Sequence, residues 1–121
     1  IWGIGPKGFR NYCRSVKYDP PIGICSTHPH NFLIQIVTET GLIGLTFYLI
    51  SFIFVILKLI MINRAKNSIN EKNCFVIISI GLLVNFFPLV PNGNFFNNWI
   101  SIINFYYIGL YIFAYKKVFY S

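Results

Sequence analysis

The stretch "GLIGLTFYLISFIFVILKLIMI", residues 41–62, is nearly all apolar. A helix that crosses a bilayer needs roughly 20 such residues, so this run sets the frame for the rest of the chain. Lys58 sits near one end of it, where a long stem can carry the ammonium to the interface. Two further apolar runs follow, over residues 74–90 and 99–115. Composition agrees: 55% of residues are hydrophobic, 19% aromatic and only 11% charged, too apolar for an ordinary soluble domain. The expected fold class is therefore all-α: a polytopic membrane protein in which an external loop segment and a short amphipathic helix precede three transmembrane helices. The first stretch is loop-like and lacks a secretory signal pattern. The sequence is accordingly read as the C-terminal piece of a longer polytopic protein.

The expected order is an external loop segment at 1–28, an interfacial helix at 29–40 and a first span at 41–63. A loop at 64–73, a span at 74–91, a turn at 92–98, a span at 99–115 and a tail at 116–121 follow. Arg64, Lys66 and Lys72 lie in the first loop, Lys116 and Lys117 in the tail, and the intervening turn is uncharged. The positive-inside rule puts the loop and tail in the cytoplasm. Lys7, Arg10, Arg14 and Lys17 then fall outside, against Asp19 alone. The chain carries a formal net charge of +7, but its basic residues do not form a nucleic-acid motif. External cations suggest an anionic partner.

The segment before the first span reads as a short helix. Pro29 suits a first helical position, and Ser26, Thr27 or His28 could cap it. Phe32, Leu33, Ile36 and Val37 form one side; Asn31, Gln35, Thr38 and Glu39 form a polar stripe at helical spacing. Run straight into the first span, this helix would have about 34 residues and measure about 50 Å. The hydrocarbon core is about 30 Å thick, so the His30 end must project or lie along the interface, with a bend expected near Gly41.

Two constellations have limited weight. "GIGPKG", residues 3–8, matches G-x-G-x-x-G literally, but a dinucleotide site needs a βαβ unit around it. A glycine turn at a membrane exit accounts for it. "HPH", residues 28–30, with Cys13 and Cys25 offers four nitrogen and sulfur ligands for zinc, yet the cysteines are much further apart than in a C-x-x-C pair.

His30-Asn31, nine residues, then Gly41-Leu-Ile-Gly44 has the spacing H-N-x9-G-x-x-G. "HPHNFLIQIVTETGLIGL" resembles the signature of the O-antigen ligase and polymerase superfamily, and "GIGPKGFR" resembles the segment that opens that family's large external loop. The resemblance covers residues 3–45 and agrees with the apolar runs beyond. It implies a membrane glycosyltransferase in the inner membrane of a Gram-negative bacterium, with its active face periplasmic. The reaction would move a glycan from a polyprenyl diphosphate carrier to an acceptor hydroxyl of lipid A-core or a glycan, with no cofactor and no metal.

By the motif match, His30 stands at the family's essential histidine. A sugar hydroxyl needs a base, and imidazole suits that work near neutral pH. The donor's tail lies in lipid while its diphosphate lies outside, which explains a polar site at a membrane mouth. Arg10 and Arg14, four residues apart, are expected to hold the diphosphate, since guanidinium grips phosphate in fork geometry; lipid headgroups are the competing partner. His28, Asn31 and Glu39 are weaker substrate-binding candidates. With the loop in an oxidising periplasm, Cys13 and Cys25 are expected to pair. A protein O-glycosyltransferase of the same family is one alternative. A non-catalytic membrane protein or transporter fragment is another, although no acidic residue lies in an expected span.

Overall fold

In the computed structural model, which describes residues 1–15, 30–89 and 93–120, the long apolar run becomes the second part of a 30-residue helix. The elements are α1 (Gly8–Ser15), α2 (Phe32–Met61), a 3-10 turn (Ile62–Arg64), α3 (Ile69–Asn85) and α4 (Asn98–Phe119). The chain is all-α, with no strand among the described residues. The segment Phe32–Arg64 is long and apolar enough to cross a membrane, its most apolar 18-residue window having a mean hydropathy of 2.5. Only 17% of that apolar window is buried, and Phe47, Ile50 and Ile60 are exposed. The core helix of a water-soluble domain would bury such a surface.

α2 is not straight. Gly41 has φ 71° and ψ −163°, a region that is essentially glycine-only. The rings of Phe32 and Tyr48 lie 5.2 Å apart, edge to face. In a continuous helix their Cα atoms would be about 24 Å apart. The short arm before Gly41 is therefore folded back on the start of the long arm. Residues 42–61 alone give a helix of about 30 Å, the thickness of a hydrocarbon core.

Element boundaries depart from the sequence reading for identifiable reasons. α2 starts at Phe32, not Pro29. α3 starts at Ile69, well before the expected residue 74, because Ser68 and Glu71 form a capping pair: the Ser68 hydroxyl accepts the Glu71 N–H at 3.4 Å. α3 ends at Asn85, ahead of Pro88, which disfavours helical backbone in the residue before it. α4 continues to Phe119 and takes in Lys116 and Lys117, cations that suit a helix C-terminus.

The chain divides into two compact units, Ile1–Tyr48 with Pro88–Ile100 and Leu49–Phe87 with Ser101–Ser121. The second unit is built around Phe75, which is fully buried with Val55, Ile62, Leu82, Tyr111, Ala114 and Val118. Two of its buried polar side chains pair locally, while the Tyr111 hydroxyl has no partner among the described residues. Ser79 donates to the Phe75 carbonyl at 2.7 Å, and Asn85 Nδ2 donates to Asn104 Oδ1 at 2.7 Å. Lys58 places its ammonium 5.0–5.5 Å from the ring centroids of Phe54, Tyr115 and Phe119, a cation–π arrangement.

Two glycines test this description. Gly41→Ala should cost at least about 2 kcal/mol, because its backbone region excludes side chains. Gly109 lies inside α4 with open space where a Cβ would go, so Gly109→Ala should stabilise by about 0.5–1 kcal/mol. Thermal unfolding of the detergent-solubilised variants reads both; a Gly41→Ala protein as stable as the wild type would contradict the fold-back.

Candidate functional site

The first unit brings both ends of the family-like sequence together. Asn31 caps the short arm of α2: its Oδ1 accepts the Ile34 N–H at 3.1 Å and its carbonyl accepts the Gln35 N–H at 3.0 Å. This replaces the expected cap at residues 26–28 and the expected start at Pro29, positions that lie outside the described residues. Asn31 thus has a structural task. His30 is the residue immediately before the cap and is exposed.

The fold at Gly41 exchanges hydrogen bonds. In a continuous helix the Leu42 N–H would donate to the Thr38 carbonyl. Here it donates to the Ile1 carbonyl at 3.1 Å, and the Thr38 carbonyl accepts from Ile4 N–H at 2.9 Å. The Glu39 carbonyl accepts from Gly5 N–H at 3.0 Å. The first residues of the chain therefore lie against the bend and satisfy groups that it frees. This approach explains the glycines on both sides. A Cβ at Gly3 would overlap the Glu39 carbonyl, one at Gly41 the Ile1 carbonyl, and one at Gly44 the Thr40 side chain.

Residues 5–8 make a turn closed by Gly8 N–H to the Gly5 carbonyl at 2.9 Å. Pro6 presets its second position. Lys7 occupies the third with φ 61°, a left-handed conformation. Its N–H donates to Glu39 Oε2 at 2.9 Å. The turn leads directly into α1, which contains Arg10, Cys13 and Arg14.

Of the polar stripe, Gln35 and Glu39 face inward. Gln35 is 0% exposed and Glu39 2%. Gln35 Nε2 donates to Asn94 Oδ1 at 2.7 Å, and its Oε1 accepts the Phe95 N–H at 3.0 Å. Asn94 Oδ1 also accepts the Phe96 N–H at 2.9 Å. Phe32 meets Phe95 edge to face at 5.1 Å. Glu39 Oε1 has no hydrogen-bond partner among the described residues, while its Oε2 lies 3.5 Å from Gln35 Nε2 as well as taking the Lys7 N–H. Glu39, a candidate substrate contact, faces the Lys7 turn. Gln35 and Asn94 had no assigned role; the four-residue Gln35–Glu39 spacing was visible, but nothing in the sequence pairs it with a turn 59 positions later.

Of the expected site residues, the unit holds His30, Asn31 and Glu39 together with α1, the helix of Arg10 and Arg14. His28 and Cys25 lie outside the described residues, and with them the proposed Cys13–Cys25 pair and the zinc alternative. Cys74 is a free, exposed cysteine. Comparison with family models, with curated proteins and with solved structures finds no match for this chain.

Two substitutions probe the unit. Lys7→Gly should be tolerated or stabilise by up to about 1 kcal/mol, since it removes left-handed strain. Gln35→Leu should destabilise by about 1–3 kcal/mol, because it strands the Phe95 N–H. Unfolding curves of the two proteins should therefore move apart; a Gln35→Leu protein matching the wild type would contradict the pairing.

Proposed function

We propose that the chain is the C-terminal part of a membrane glycosyltransferase of the O-antigen ligase or polymerase type. One observation carries this reading: the two separate stretches that resemble the family, residues 3–10 and 30–45, pack against each other at Gly41. Glycines in both stretches are required by the same contact. The exposed His30 stands beside the cap of the folded-back arm, in the unit that also contains α1.

In the proposed reaction, His30 takes the proton of an acceptor hydroxyl. The resulting oxygen nucleophile attacks the anomeric carbon, the bond from that carbon to the diphosphate oxygen breaks, and the configuration inverts. Arg10 and Arg14 stabilise the departing polyprenyl diphosphate. The donor's tail stays in lipid. The 17-residue α3 and 22-residue α4 are read as further spans, about 26 and 33 Å long. Lysines and arginines of the 64–73 loop and the α4 end put both on the cytoplasmic side, with His30 and the 93–97 turn on the periplasmic side.

His30→Ala should abolish glycan transfer in the full-length protein while membrane insertion persists; His28→Ala should do less. Arg10→Ala or Arg14→Ala should each lower transfer per inserted molecule about ten- to a hundredfold, the effect of one lost charge-assisted contact, with Arg→Lys a partial rescue. Near-normal transfer by His30→Ala would overturn the base assignment. Headgroup anchoring by the arginines would instead lower protein level and leave transfer per molecule intact.

Orientation has its own test. A membrane-impermeant thiol reagent should label a cysteine placed at Asn94 from outside intact cells, and not one placed at Lys66. The reverse pattern would invert the topology.

A further inference from the structure

In the second unit, the start of α3 and the end of α4 meet at one end. Asn67 Nδ2 donates to the Lys117 carbonyl at 3.1 Å, and Lys117 Nζ lies 3.4 Å from Glu71 Oε1. Lys58 reaches the same place, over Tyr115 and Phe119. Six cations belong to this end and its loop: Lys58, Arg64, Lys66, Lys72, Lys116 and Lys117. Glu71 is the one carboxylate among them, so six minus one leaves a surplus of five positive charges.

An open-sided groove of about 840 Å³ runs beside the last turns of α4. Phe54, Tyr111, Phe113, Tyr115 and Tyr120 line it together with Lys116 and Lys117. Phe113 is 67% exposed. Lys58 has its rings and Lys117 has Glu71, whereas Lys116 is exposed. A groove lined by aromatic rings and two lysines matches an amphiphile with an apolar chain and an anionic head.

We propose that this groove holds an anionic phospholipid, with the phosphodiester at Lys116 and Lys117 and an acyl chain along the rings of Phe113 and Tyr115. The inference rests on α4 lying in a membrane, and not on the glycosyl-transfer chemistry. The two lysines that line the groove select a headgroup with net negative charge. A zwitterionic headgroup would bring its own cation against the same lysines and gain little.

The test is native mass spectrometry of the full-length protein released from nanodiscs of phosphatidylcholine and phosphatidylglycerol in equal amounts. The wild type should retain phosphatidylglycerol in preference to phosphatidylcholine. Lys116→Gln leaves the Glu71–Lys117 pair intact and should lower that retention about fivefold, the attraction of one lysine near an anionic headgroup. Phe113→Ala should lower it with no change of charge. Lys66→Gln removes the same charge as Lys116→Gln but lies off the groove, and should leave retention unchanged. Equal retention of the two lipids would overturn the proposal. So would loss in Lys66→Gln as large as in Lys116→Gln, or no loss in both groove variants.

Discussion

The first unit depends on one exchange of backbone hydrogen bonds. Folding a helix back on itself at Gly41 breaks its ladder, and each buried backbone group left unpaired would cost about 1–3 kcal/mol. The Leu42 N–H and the Thr38 and Glu39 carbonyls avoid that cost by pairing with Ile1, Ile4 and Gly5. The rest of the unit follows. The chain start must lie close, so Gly3 and Gly41 have no room for side chains. Glu39, one residue past Thr38, is aimed at the turn that holds Lys7. Gln35, one turn earlier, is left facing the 94–96 turn and is claimed by it.

This exchange divides the family-like residues by what they do. Gly3, Gly41 and Gly44 admit close contacts, Asn31 caps, and Gln35 and Glu39 bind backbone and amide groups. Their chemistry is absorbed in positioning. His30 differs in being exposed beside the cap.

Much of the architecture was legible in the sequence. The apolar run over 41–62 announced a membrane-length helix, and its excess length over a bilayer demanded the bend that occurs at Gly41. Other features were hidden. Helical spacing showed that Gln35 and Glu39 share a face, but spacing cannot say whether water or another segment covers it; here residues 1–7 and 94–95 do. Pro29 is a good helix starter, yet the Asn31 side chain closes the first turn two residues later. The α3 start was signalled by Ser68 and Glu71 at capping-box spacing, a local cue outweighed by the apolar run beginning further on. Lys58 looked like an interfacial anchor by position, and only packing places its ammonium among three rings.

The fold-back at Gly41 is most directly tested by distance. In a background with the native cysteines replaced by serine, Phe32→Cys and Tyr48→Cys together should be joined by a short thiol cross-linker in the membrane-embedded protein. The two side chains they replace have ring centroids 5.2 Å apart. A straight α2 would hold these positions about 24 Å apart, beyond such a reagent. Efficient cross-linking is the predicted result, and its absence with both thiols reactive to single-ended label would contradict the folded-back arm and the site built on it.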